Sequence, residues 1–308
     1  MHVALYSNSR LPARGYGGTQ RVVGWLARGL AELGHRVTLL APAGSRVREA
    51  EVTELHPRSV RKPDFDLGHF LPDSIDLLHT HARLATVPHC PTVFTLHGNR
   101  AEGTAPPNTI FLSANHAGRH GGRAFVYNGV DPAEYVFRPI KAEYDLFLGR
   151  LHGVKGYRWA IQGAKRAGKR LIVAGGWRPS LRPSLRFAGS VDGSCKAELL
   201  AGAECLWMPA LWDEPFGLTL VEAMMSGTPV LGTRRGALPE IVSPDAGRLG
   251  DTLEELVDLR PSVAGCAPEA CRARAQRWFT HLTMAGEYVR MYRHYLSTGE
   301  LPPGQVTE

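Results

Sequence analysis

The chain has 308 residues, the length of two ordinary domains, and its balance of 44% hydrophobic to 21% charged residues excludes a disordered protein. Its formal charge of +7 is carried mostly by arginine and is spread over both halves, with no basic cluster of the kind nucleic acid requires. The five cysteines form no C-x-x-C, the N-terminus lacks a signal-peptide pattern, and no apolar run approaches the roughly 20 residues of a membrane span, so a reducing cytoplasmic home is expected.

The first predicted element is an apolar strand, Val3 to Ser7. A glycine-rich loop, RGYGGTQ, follows, and residues 21–33 then carry Val22, Val23, Leu26, Leu30 and Leu33 at helical spacing. Gly34 stops that helix, and HRVTLLA reads as the next buried strand. Strand, helix, strand with short links is a βαβ unit, which implies a parallel sheet covered by helices. Further strands are expected at residues 75–79, 92–97, 110–113 and 124–127, with GNRAEGTAPPNT as a loop. The pattern then restarts. A strand at 145–148 ends in the turn GRLHGVKG, a helix covers about 157–168, and RLIVAGG is the following strand. Strands at 186–188, 205–208 and 229–232 alternate with helices near 195–201 and 218–226. The boundary between the halves is placed near residues 137–141. A last helix at about 284–296 stands outside the second pattern, and the tail LPPGQVTE is expected to be loose.

Four features could carry chemistry. The loop GYGG, between a strand and a helix, could offer main-chain N–H groups to an anion, or its glycines could simply serve the turn. His79 and His81, in LHTHA, fall on one face of a strand; they suit either a metal pair or ordinary polar strand ends. His97 closes a predicted strand and precedes Gly98, where open α/β sheets place ligands. In GRLHGVKG, Arg150 and Lys155 flank a glycine turn at the carboxyl edge of a sheet, which suits a diphosphate or leaves two solvated turn charges. The fourth feature, DEPFGLTLVEAMMSGTPVLGT, spaces Glu214 and Glu222 by seven residues around a turn and helix start. The N–H groups of Phe216, Gly217 and Leu218 would face an anion, while the carboxylates would accept bonds from paired hydroxyls. A two-carboxylate glycosidase, or a Glu that only complements a helix dipole, are the competing readings.

Taken in order, GYGGTQRVV, DLLHTHA, TLHG, FLSAN, YNGVD, FLGRLHGVKG, LIVAGG, FAGSV, EPFGLTLVEAMMSGTPV and GALPEIV resemble family 4 of the retaining, GT-B-fold glycosyltransferases over nearly the whole chain. The resemblance implies an α/β protein with two Rossmann-like domains whose parallel sheets face a cleft. An acceptor-side domain would span 1–138, joined by the C-terminal helix at about 284–296, and a nucleotide-sugar-binding domain would span 139–283. By position, Arg150 and Lys155 would bind the donor diphosphate, Glu222 the ribose and Glu214 the transferred sugar. Phe216, Gly217 and Leu218 would offer main-chain groups. Gly17 and Gly18 would approach the phosphates, His97 would sit beside the reacting sugar, and Val191 would contact the base. The implied activity moves a hexose from a nucleotide sugar (UDP before GDP) to a hydroxyl acceptor that is a small molecule, a glycan or lipid-linked. The resemblance implies metal independence, so no metal or other cofactor is expected, and the departing diphosphate would be stabilised by fixed cations and helix N–H groups. The competing functions are a catalytically silent nucleotide-sugar-binding module, a GT-B epimerase or phosphorylase, and a His-x-His metal hydrolase. Peripheral contact with the inner membrane surface stays open, and the short stretch from His97 to Asn128 suggests an open or small acceptor site.

Overall fold

The computed structural model describes residues 1–13, 15, 17–62, 65–99 and 105–307. Arg14 and Tyr16 of the glycine-rich loop, and Arg100 to Thr104 of the GNRAEGTAPPNT link, lie outside the described residues. The chain forms two compact units, Met1–Gly129 with His281–Val306, and Val130–Thr280 with Thr307. The division therefore falls at Gly129, upstream of the 138/139 boundary read from the sequence.

The first unit contains β1 (His2–Tyr6), α1 (Gly18–Glu32), β2 (Arg36–Pro42), β3 (Glu51–Leu55), β4 (Leu77–Thr80), β5 (Thr92–Thr95), β6 (Thr109–Ile110) and α2 (Ala114–Arg119). Its described strands make a six-stranded sheet in the order β3-β2-β1-β4-β5-β6, with every pairing parallel. β1 is buried on both faces, as a central parallel strand must be. α1 turns Val22, Val23, Leu26 and Leu30 inward, and Gly34, at φ +81°, takes the left-handed conformation that ends the helix.

The second unit contains β7 (Asp145–Leu148), α3 (Tyr157–Arg166), β8 (Leu171–Ala174), β9 (Leu185–Gly189), α4 (Gly193–Gly202), β10 (Cys205–Met208) and α5 (Leu218–Met225). β11 (Val230–Thr233), α6 (Leu238–Ile241), β12 (Gly247–Gly250), α7 (Leu253–Leu259) and α8 (Pro268–Trp278) complete it. The sheet order is β12-β11-β10-β7-β8-β9, again parallel throughout. Phe147, Leu171, Val173, Trp207 and Leu231 build its core. Read from the other edge, this is the strand order of the first unit. In each sheet the strand order therefore reverses once, between β1 and β4 and between β7 and β10, and the carboxyl ends of such strand pairs are where open α/β sheets bind ligands.

α9 (His281–Thr298) belongs to the first unit and packs on α1. The crossing is close at Gly29, where a Cβ would lie 2.6 Å from the His281 carbonyl oxygen. Three expectations need correction. The apolar run 124–127 is buried but forms only a single bridge, Phe111 to Phe125, because burial alone does not make a strand. β3 and β12 were not anticipated: β3 is an edge strand with four of five residues at least partly exposed, and β12 is short and begins and ends in glycine. The tail is not loose, since Gly304 N–H donates to the Arg123 carbonyl at 3.0 Å and Thr307 Oγ1 donates to the Glu240 carbonyl at 2.7 Å.

Candidate active site

In the second unit the chain leaves β7 through GRLHGVKG. Arg150 is exposed at the strand end, and Lys155 closes a short 3-10 turn before α3. Gly156, at φ +72°, joins the two; a Cβ there would lie 1.7 Å from the carbonyl oxygen of Pro209. Only glycine lets this turn rest on the loop that follows β10. The close approach brings Lys155 Nζ to 2.6 Å from Glu214 Oε2, with side chains 13% and 10% exposed. Trp212 Nε1 donates to the same carboxylate oxygen at 2.8 Å, and Lys155 Nζ stands 4.8 Å from the Trp212 ring centroid. The main chain of Glu214 is fixed from the GALPEIV side. Ala237 N–H donates to its carbonyl at 2.9 Å, and a Cβ on Gly236 would lie 2.3 Å from its nitrogen.

Beyond Glu214 the chain turns into α5. The Phe216 ring is buried and packs edge-on against Phe279, with centroids 5.9 Å apart, so this side chain anchors the turn. Gly217, at φ +89°, precedes Leu218, the first residue of α5, whose opening N–H groups lack intrahelical acceptors. Glu222, one turn on, is fully buried; its Oε1 accepts from Tyr135 Oη at 3.0 Å and from Lys196 Nζ at 2.9 Å. Glu214 and Glu222 thus have separate cations, one from the turn after β7 and one from α4. Val191 is half-buried just past β9, on the same carboxyl edge. Sequence reasoning missed Trp212, Tyr135 and Lys196. Trp212 flanks the motif and could have been included, but nothing in the sequence pairs Tyr135 or Lys196 with Glu222.

In the first unit Gly17 is the N-cap of α1 in extended conformation, and Gly18 is its first residue. The histidines cluster at the carboxyl ends of β4 and β5. His79 holds Tyr292 Oη at Nδ1 (2.6 Å) and Thr95 Oγ1 at Nε2 (2.7 Å), and Thr95 also meets Tyr288 Oη at 2.9 Å. With both ring nitrogens engaged, His79 is not open as a metal ligand. Among the described residues no group of three His, Cys, Asp or Glu is disposed to hold a metal ion. His81 Nδ1 lies 2.9 Å from His97 Nε2, and the His79 and His81 rings lie tilted against each other with centroids 4.1 Å apart. Burial pulls the His79 and His81 imidazoles well below their ordinary range. Burial and the neighbouring His116 bring His97 down to about 4, and burial and His120 do the same to His116. These imidazoles are therefore neutral near pH 7.

Residues 16–131 match the family described as Glycosyltransferase Family 4, and residues 143–258 match Glycosyl transferases group 1. A solved glycosyltransferase involved in avilamycin A biosynthesis is 30% identical and superposes with a TM-score of 0.80, covering 96% of this chain and 98% of that one. A phosphatidyl-myo-inositol mannosyltransferase of Mycolicibacterium smegmatis is 28% identical over 301 residues, 76% of this chain and 77% of its own. An uncharacterized glycosyltransferase of Methanocaldococcus jannaschii is 29% identical over 147 residues, and that match spans only 37% of its length. No helix among the described residues is long and apolar enough to cross a membrane. Two like-ordered parallel sheets, the EPFG turn seated on the glycine turn of β7, and a relative matched along almost its whole length agree: the chain belongs to glycosyltransferase family 4 and has the GT-B fold.

Proposed function

We propose that this protein is a metal-independent, retaining hexosyltransferase that moves a sugar from a nucleotide sugar, UDP-linked before GDP-linked, to a hydroxyl acceptor. The observation that carries this reading is the cluster of Lys155, Glu214 and Trp212 beside the start of α5. It sets a cation and an acceptor carboxylate, both largely shielded from water, next to N–H groups at a helix N-terminus. Departure of a nucleoside diphosphate builds negative charge on its phosphate oxygens, and Lys155, Arg150 and the N–H groups at 216–218 would stabilise it there. Glu214 would accept hydrogen bonds from the sugar hydroxyls and Glu222 from the ribose. Gly17 and Gly18 for the phosphates, His97 for the reacting sugar and Val191 for the base are assigned from the family pattern. In the step itself the bond from the anomeric carbon to the phosphate oxygen breaks. The acceptor oxygen bonds to that carbon on the same face, and the acceptor proton passes to the departing diphosphate.

A panel of UDP-, GDP- and ADP-hexoses, mannose and glucose included, should give donor turnover with one base and leave it unchanged by chelator. The nucleoside diphosphate of that donor should raise the melting temperature of the wild type and not of K155A or E222A. An unchanged shift in both variants removes the site assignment, loss of turnover with chelator removes metal independence, and an inverted anomeric product removes retention.

A further inference from the structure

The dyad of His81 and His97 carries information about proton placement that its distance alone does not state. Both residues are neutral imidazoles 2.9 Å apart, so one nitrogen must donate and the other accept. The two arrangements differ at the far side of His81, whose Nε2 is buried and has no hydrogen-bond partner among the described residues. If His97 donated, His81 would carry its proton on Nε2, a buried N–H with no acceptor. If His81 donates from Nδ1, Nε2 is a bare acceptor, the less costly of the two orphans. The surroundings do not reverse this choice. The titratable group against the His81 ring is His79, itself neutral and held by Tyr292 and Thr95, and the titratable neighbour of His97 is His116, also neutral near pH 7. Among the described residues no carboxylate is paired with any of these imidazoles.

We propose that His81 is a positioning residue: it donates from Nδ1 to Nε2 of His97 and fixes His97 as the neutral Nδ1–H tautomer. His97 then presents a single N–H, on the ring nitrogen opposite the dyad, at the carboxyl end of β5. Such a group donates to an uncharged hydroxyl oxygen and cannot take up a proton through Nε2 while His81 holds it. This use of His97 rests on the hexosyltransferase reading, whereas the tautomer does not.

The test is a long-range proton–nitrogen spectrum of the full chain with labelled histidine at pH 7, with His97 assigned by its loss in H97Q. The expected result is a protonated Nδ1 and an unprotonated Nε2 on His97. A protonated Nε2, or an imidazolium, on His97 overturns the proposal. Donor turnover supplies the second readout. H81L should lower kcat about 30-fold with KM little changed, and H81N, whose amide N–H replaces Nδ1–H, should restore most of it. H81D, which can only accept from His97, should move the acidic limb of the pH profile upward from about 4. Equal loss in H81L and H81N, or an unmoved limb in H81D, overturns the positioning role. Full turnover in H97Q would instead strike the assignment of His97 to the reacting sugar, a failure separate from that of the dyad.

Discussion

Lys155 Nζ lies 2.6 Å from Glu214 Oε2, although the residues belong to different βα loops, which meet where Gly156 rests on Pro209 and where the Leu211 N–H donates to the Val154 carbonyl at 2.8 Å. The pair stands past the carboxyl ends of β7 and β10, where the sheet of the second unit reverses its strand order. A charged donor and a carboxylate are thus pre-formed together in a site from which most water is excluded.

The first prediction concerns this pair. K155A and E214A should each lower kcat/KM for donor turnover about 100-fold or more, and the double variant should lose much less than their product, because the groups act as a unit. W212F removes the indole N–H from Glu214 while keeping an aromatic face, and a loss of about tenfold is expected. Steady-state kinetics on the four proteins checks both. Multiplicative losses would show that the ion pair is not a functional unit.

The second concerns the turn that makes the pair. G156A places a Cβ where the Pro209 carbonyl already sits, so the loops must separate; turnover should fall at least as far as in K155A, and the melting temperature should fall with it. G168A is the control. Gly168 also has positive φ, but open space surrounds it, so a loss of about 1 kcal/mol in stability with normal turnover is expected. Equal effects of the two substitutions on turnover would contradict the close-approach argument.

At the opposite edge of the same strand, Asp145 accepts from Arg260 Nε at 2.8 Å and from Trp207 Nε1 at 2.7 Å, all three side chains being buried. R260M strands the Asp145 carboxylate in the core. We expect a loss of roughly 3–5 kcal/mol in urea unfolding and an unchanged KM at temperatures where the variant is folded. A raised KM would mean that this network reaches the site.

Acid stability follows from the histidines. His97 and His116 are held to about 4 against an ordinary 6.5, and burial lowers His79 and His81 as well. Their folded values lie below their unfolded ones, so between pH 6.5 and 4 the unfolded chain binds more protons. Stability is therefore complete above pH 6.5 and falls as the pH drops through that window. His116 alone accounts for on the order of 3 kcal/mol by pH 4. Urea midpoints at pH 7, 6 and 5 should decline before carboxylates titrate, and a flat series would contradict neutral burial of this cluster.

Much of the fold was legible because its signals are local. The run HVALY, the helical spacing from Val22 to Leu30, the stop at Gly34 and the repeat of strand and helix after Asp145 all follow from apolar periodicity and backbone preference. β3 escaped because an edge strand with a polar, half-exposed face carries little apolar pattern. The run 124–127 misled because a buried run need not pair along its length.

The candidate site divides along the same line. Chain chemistry by itself placed Lys155 behind a glycine turn, Glu214 and Glu222 around a helix start, and three histidines at strand ends. Tertiary structure alone decided which groups meet. Trp212 and Lys155 converge on Glu214, while Tyr135 and Lys196, 87 and 26 positions away in sequence, converge on Glu222. His81 was visible as half of a His-x-His pair, yet its partner proved to be His97 on the next strand and not His79 beside it. The reason is physical. Periodicity and turn chemistry act within a few residues, whereas the register of parallel strands and the close packing permitted at Gly156 bring distant side chains within hydrogen-bond reach.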